Sequence, residues 1–255
     1  MWGADCGEGG RHPGEISQGY YRLAGRVRAT WAALTPVPSG LLMRLGIFGG
    51  SFDPPHTGHL LVAQDGMDAL SLDRLLIVPA AQQPLKQDQF ASAANRLEMV
   101  QRCFADIAGI MVDPIEIQRG GLSFMVDTVA SVRQQYPSVD LHLLIGDDVA
   151  RTLPRWRDPA RLLSMVRLVV LTRVTESELT ESPAEKRDAL GGSLLGFPVQ
   201  RLASRRVDVS STEVRARVRS GRSIRGFVTD AVADYIASAG LYLRDPVAED
   251  VSARA

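Results

Sequence analysis

Cysteine is nearly absent from this chain: Cys6 and Cys103 are the two among 255 residues. Two thiols give no disulfide framework, and a reducing cytoplasm is the default expectation. No run of eighteen apolar residues occurs, so no transmembrane helix is expected. The opening, MWGADCGEGGRHPGE, lacks the basic-then-apolar order of a secretory signal. Net charge is missing too. The 29 Lys and Arg balance 29 Asp and Glu, which leaves no global electrostatic argument for nucleic acid or an anionic membrane as partner. Two phosphate-binding patterns are absent. Gly46, Gly49 and Gly50 do not make GxGxxG, and no GxxxxGK followed by Ser or Thr occurs. A dinucleotide-binding dehydrogenase and a P-loop hydrolase are both disfavoured. No dense carboxylate cluster offers a cage for a metal ion.

What is present is a chain 45% hydrophobic, enough for one sizeable core. Residues 1–42 are punctuated by Gly and Pro and read as an extension, disordered or loosely packed, with a short helix conceivable at Tyr20–Leu34. Met43 stands directly before the first core strand, so residues 43–243 are expected to form the working domain and 244–255 a frayed tail. Within that domain apolar runs alternate with helical periodicity. Strands are expected at 41–48, 74–79, 109–112, 140–145 and 166–172, with weaker ones at 199–202 and 206–209. Helices are expected at 57–70, 92–104, 123–136, 160–163, 211–219 and 229–239. Glu176–Ser193, charged and broken by Pro183, reads as a surface excursion. This order predicts an α/β fold: a Rossmann-like, doubly wound, mostly parallel sheet with right-handed crossovers and ligands beyond the strands' carboxyl ends.

One stretch organises the rest, RLGIFGGSFDPPHTGHL at Arg44–Leu60. An apolar strand runs into Gly49 and Gly50, which are expected to break it. Pro54 and Pro55 stiffen the turn. A helix then starts near Thr57, with Leu60, Leu61, Ala63, Gln64, Met67 and Leu70 spaced for its buried face. Its first-turn amides have no intrahelical acceptor, so strand, glycine turn and helix start make an anion site. His56 and His59 are three apart and share a face at that helix end, where imidazoles can donate to phosphate oxygens. The alternatives are that His56 caps a turn while His59 packs, or that both ligate a metal whose third ligand is not evident locally. Far along the chain, Ser211, Thr212 and Arg215 fall on one helix start. Their hydroxyls and guanidinium, with the free amides, could enclose a phosphate chain.

GIFGGSFDPPHTGHL at 46–60 resembles the signature of the HxGH nucleotidyltransferases, and VSSTEVR at 209–215 resembles their ISSTxxR motif. Between them, Gln83-Pro84-Leu85-Lys86, Arg96–Met99, Ser123–Thr128 and Gly146-Asp147-Asp148 with Leu153 and Trp156 resemble segments of the nicotinate-nucleotide adenylyltransferases. Gly221–Ile236 resembles that family's ending. The resemblance spans about residues 43–243. It departs at Leu85, where histidine is usual, at Phe124 (tyrosine) and at Met125 (threonine).

The resemblance implies transfer of the adenylyl group of ATP to nicotinate mononucleotide, forming deamido-NAD and pyrophosphate. It implies that His56, His59 and Arg215 are catalytic. ATP would be held by Gly46, Phe48, Gly49, Ser51, Gly58, Gly146, Asp148, Arg173, Ser211 and Thr212. The pyridine nucleotide would be held by Lys86, Ser123, Phe124, Met125 and Trp156, the tryptophan stacking on the ring. Mg²⁺ would be carried by the ATP phosphates rather than by a protein site. The partners implied are small molecules, with neither nucleic acid nor membrane, and a homo-oligomer is compatible with the sequence. Nicotinamide mononucleotide as substrate, a pantetheine-phosphate adenylyltransferase and a non-catalytic nucleotide sensor are the other readings.

Overall fold

The computed structural model describes residues 42–85, 89–174, 192–205 and 207–244. Seven strands form one sheet among these residues: β1 Met43–Gly50, β2 Arg74–Pro79, β3 Ile110–Val112, β4 Val139–Gly146, β5 Arg167–Val174, β6 Gly192–Leu194 and β7 Phe197–Arg205. Their order is β3-β2-β1-β4-β5-β7-β6. All pairings are parallel except β6 with β7. The eight described α-helices are α1 Thr57–Leu70, α2 Ala93–Cys103, α3 Ile115–Arg119, α4 Met125–Gln135, α5 Asp147–Ala150, α6 Pro159–Met165, α7 Ser211–Arg219 and α8 Asp230–Ser238. The mostly parallel, doubly wound architecture is the one the alternating pattern predicts. None of these helices is long and apolar enough to cross a membrane.

Continuous apolar stretches occupy the sheet centre because helices cover both faces there. Leu45, Ile47, Leu75, Leu76, Ile77, Leu141, Leu143 and Leu144 are fully buried. Small residues let α1 approach. A Cβ added to Gly66 would lie 2.5 Å from Leu144 Cδ2, so the helix sits closer than alanine would allow. Its buried line is Gly58, Ala63, Gly66 and Leu70. Leu60 and Met67 pack beside the core, whereas Gln64, expected on the buried face, is exposed.

Three expectations need correction. Gly49 and Gly50 do not end β1; they remain paired with Val78 and Pro79, and the chain leaves the sheet at Ser51. The expected strand at 206–209 is absent from its described part, 207–209, and β7 instead runs to Arg205. The helix expected from Ser123 begins at Met125, because Ser123 is drawn aside: its N–H donates to Gln82 O at 2.8 Å, and its Oγ accepts from Ala81 N at 2.9 Å. Helix α3 is a further element that the sequence pattern does not announce. The expectations for Tyr20–Leu34, for residues 175–191 and for the tail beyond 244 lie outside the described residues.

The winding reverses between β1 and β4, since β2 and β3 extend from one side of that pair and β5 to β7 from the other. A crevice forms at such a point beyond the carboxyl ends of the strands.

Candidate active site

A cavity of about 520 Å³ opens there. Phe48, Gly49 and Gly50 from the end of β1, Gly146 from β4 and Leu171 from β5 form its floor. His56, Gly58 and His59 form one wall. Ser123, Phe124, Met125 and Trp156 line it as well.

The histidine wall is built by helix geometry. His56 is the N-cap of α1 and nearly buried, and His59 stands one turn on. The His56 N–H donates to His59 Nδ1 at 3.1 Å. The two rings lie 3.8 Å apart, centroid to centroid, tilted by 34°. Phe52 meets His59 edge-on at 5.0 Å. Gly58 is fixed by this stack, since an added Cβ would come within 3.0 Å of His56 Cε1 and Nδ1.

The second motif is tied to the first. Ser210 caps α7, its Oγ accepting from Glu213 N. Ser211 Oγ donates to Pro54 O at 2.8 Å. Arg215 Nη1 donates to Asp53 O at 2.6 Å and Nη2 to Thr212 Oγ1 at 3.2 Å. The guanidinium rests 4.0 Å above the Phe90 ring. Ser211, Thr212 and Arg215 thus stand behind the Pro54 turn rather than among the residues lining the cavity. Burial pushes the Arg215 pKa down, and the Asp53 charge opposes that.

The other end of the cavity is aromatic. Trp156 Nε1 donates to Thr152 Oγ1 at 3.0 Å, which fixes the indole plane. Met125 reaches across to β1: a Cβ on Gly49 would lie 2.5 Å from Met125 Cε. A side chain at position 49 would have to push that methyl aside. A Cβ on Gly146 would lie 2.7 Å from Asp148 Oδ1 and would turn that exposed carboxylate away. Asp148 itself is exposed at the rim.

Of the residues expected at the site, Gly46 does not reach it. It lies inside β1, where a Cβ would strike Leu72 Cδ1 at 2.6 Å and Leu75 Cδ1 at 2.7 Å; its glycine serves packing. Arg173 lies in β5 opposite Ser204, and its side chain lies outside the described residues, as does Lys86. Phe48, Gly49, Ser51, His56, Gly58, His59, Ser123, Phe124, Met125, Gly146, Asp148 and Trp156 all line one cavity.

Three supporting residues escaped the sequence reading. Arg96, fully buried, donates to Ser51 O, Ala80 O, Ala81 O, Ala91 O and Gln89 Oε1. It ties the exits of β1 and β2 to the start of α2. Asp53 accepts from Phe90 N, Ala91 N and the Tyr242 hydroxyl. Glu116, nearly buried on the cavity wall, accepts from Thr128 Oγ1 at 2.6 Å. Burial raises its pKa against the Thr128 and Ser123 hydrogen bonds. Arg96 and Asp53 sit inside quoted motifs, so their presence was visible though not their duty. Nothing in sequence marks Glu116, because its burial is tertiary. Among the described residues no three His, Cys, Asp or Glu side chains gather as metal ligands.

This is the crevice of a nucleotidyltransferase-type α/β fold, and the comparisons agree. The cytidylyltransferase-like family model matches residues 47–217. A "Probable nicotinate-nucleotide adenylyltransferase" from Gemmatimonas aurantiaca is 63% identical over 204 residues, covering 80% of this chain and 94% of that protein. Another of the same description, from Herpetosiphon aurantiacus, is 35% identical, covering 79% and 100%. A solved structure, "Plasmodium falciparum nicotinic acid mononucleotide adenylyltransferase complexed with NaAD", superposes with a TM-score of 0.61 at 18% identity, covering 78% of this chain and 97% of that one. That last likeness shows the shared fold. The chain belongs to the cytidylyltransferase-like nucleotidyltransferases and, within them, to the nicotinate-nucleotide adenylyltransferase family.

Proposed function

We propose that this protein transfers the adenylyl group of ATP to nicotinate mononucleotide, releasing pyrophosphate, a step in NAD biosynthesis. One observation carries the reading: a single cavity joins the His56–His59 pair to an aromatic end formed by Phe124 and Trp156. The first end suits a triphosphate, the second a flat, electron-poor ring.

A phosphate oxygen of the mononucleotide attacks the α-phosphorus. The new P–O bond forms as the bond to the bridging α,β-oxygen breaks, and pyrophosphate leaves with that electron pair. No protein nucleophile is required. The work is neutralising charge and aligning two anions that otherwise repel. His59 and His56 would donate to the α-phosphate, with the first amides of α1 behind them. Ser211, Thr212 and Arg215 would take the β- and γ-phosphates, Arg215 turning from the Asp53 carbonyl. Mg²⁺ would enter with the ATP substrate and supply part of the charge neutralisation on its phosphates.

Glu116 favours a second reading. A carboxylate on the wall of the cavity could accept a hydrogen bond from a carboxamide, which suits nicotinamide mononucleotide. The deciding experiment measures pyrophosphate release with MgATP and matched concentrations of nicotinate mononucleotide, nicotinamide mononucleotide and phosphopantetheine. The first reading expects strong preference for the nicotinate compound. Preference for another substrate transfers the enzyme to that reading, and silence with all three points to the sensor.

A further inference from the structure

Arg215 stands behind the Pro54 turn, outside the residues that line the cavity, so its use on a nucleotide depends on how its guanidinium is held. Phe90 holds it from one face. The guanidinium carbon lies 4.0 Å from the centroid of that ring. Phe90 is half-buried and packs against the hydrophobic core, which fixes the ring in turn. Its backbone is fixed as well: Phe90 N donates to Asp53 Oδ2 at 2.7 Å, and Ala91 N donates to Asp53 Oδ1 at 3.2 Å. The Asp53 carbonyl accepts from Arg215 Nη1 at 2.6 Å. One residue therefore sets both partners of the stack, the ring through its carboxylate and the guanidinium through its main chain.

The other contacts of Arg215 are of a kind that an anion can displace. Its hydrogen-bond acceptors are a carbonyl, Asp53 O, and a hydroxyl, Thr212 Oγ1, both neutral. Its Nε, though buried, has no hydrogen-bond partner among the described residues. Phosphate oxygens would replace these neutral acceptors with charge-assisted hydrogen bonds. The ring differs from the acceptors. Its attraction for a cation acts over the whole face rather than along one direction, so the guanidinium can turn in its own plane, trade the Asp53 carbonyl for a phosphate oxygen and stay over Phe90. A leucine at position 90 would fill much of the same space and offer no such face.

We propose that Phe90 is a positioning residue for ATP: its ring carries the Arg215 guanidinium as Arg215 passes from the Asp53 carbonyl to the β- and γ-phosphates. The inference rests on the reading that Arg215 takes those phosphates. Phe90 is not among the residues lining the cavity, so it acts through Arg215. Loss of its ring therefore costs affinity for the triphosphate, leaves the pyridine mononucleotide alone, and does nothing where Arg215 is already gone.

The test uses the full chain with F90L, F90Y, R215Q and the double variant F90L/R215Q. F90M serves as a second apolar replacement should F90L not fold, and thermal melts establish that each variant is folded. Dissociation constants for MgATP alone are measured by calorimetry, and KM is measured for ATP and for nicotinate mononucleotide. F90L should weaken MgATP binding by roughly 3- to 30-fold, the size of a partly desolvated cation–π contact, and raise the KM for ATP with it. The KM for the mononucleotide should change by less than about twofold. F90Y keeps a ring face and should stay within about twofold of the wild type. In the R215Q background the further loss from F90L should shrink to less than about twofold, because the two residues act as a unit. A full, multiplicative loss in the double variant overturns the proposal, as does F90Y falling as far as F90L. If R215Q binds MgATP as the wild type does, the assignment of Arg215 fails and this inference with it. If R215Q weakens binding and F90L does not, this inference fails alone. The binding cycle needs no turnover and decides the matter whichever mononucleotide the enzyme accepts.

Discussion

A backbone amide sets the proton on His59. Because Nδ1 accepts from the His56 N–H, the neutral ring carries its hydrogen on Nε2 and offers a donor there. A phosphate arriving at the start of α1 meets a ring already in the useful tautomer. His59→Ala removes that donor and leaves a small gap beside Phe52. Turnover should fall by about two orders of magnitude or more, comparable to loss of one transition-state donor. Stability should change by only about 1 kcal/mol. Parallel measurement of kcat and urea unfolding separates the two, and near-normal kcat would remove His59 from the chemistry. At this scale the sequence was informative wherever residues lie close in the chain: His56, Gly58 and His59 are brought together on one cavity wall at the start of α1. It was uninformative where a residue acts through distant carbonyls. Arg96 reaches five acceptors from three segments, and no local spacing encodes that. Gly46 shows the converse error: a glycine near the motif was taken for a site residue, though its neighbours Leu72 and Leu75 account for it.

At the scale of elements, β4 carries a titratable group into the sheet. His142 is nearly buried in the strand, with Nε2 3.3 Å from Asp140 Oδ2. Burial lowers its pKa from the ordinary 6.5, and the attraction of Asp140 only partly offsets this. The unfolded chain therefore takes up this proton first as pH falls. Folding stability should be full above the unfolded value and should decline as pH drops through 6.5 towards the lowered folded value. His142→Gln should flatten that decline. Urea midpoints at several pH values between 5 and 7.5 check it, and identical slopes for both proteins would show that other groups govern the acid limb. The elements themselves were legible because central parallel strands are unbroken apolar runs and helices carry their period. What was missed had no such signal. Helix α3 is five residues long and β6 is three, and the start of α4 is moved because Ser123 N–H donates to Gln82 O while its Oγ accepts from Ala81 N–H.

On the scale of the whole molecule, the end of the domain braces its beginning. Tyr242, nearly buried after α8, donates its hydroxyl to Asp53 Oδ1 at 2.6 Å, across 189 residues. Thr57, at the start of α1, bonds through N and Oγ1 to the carbonyl of Phe227. The turn that precedes the histidines is thus held from β1 by covalent continuity and from the far end of the domain by hydrogen bonds. The cavity's described lining lies wholly between Phe48 and Val209. Shortening the chain from its two ends should then have opposite results. A protein starting at Met43 should keep its activity. Tyr242→Phe should leave Asp53 with its two backbone donors and cost about 1 to 2 kcal/mol, a fall in Tm of roughly 2 to 8 °C for a domain of this size. Loss of residues 240–255 removes the tyrosine ring as well as its hydroxyl and should lower Tm further, because the buried ring is itself a large contribution. It should also raise the KM for ATP, since the turn before His56 loses its brace. Thermal melts and ATP kinetics on these three variants test the arrangement together. If the truncation at 239 matched the full chain in both, the Tyr242–Asp53 bond would be incidental to the site.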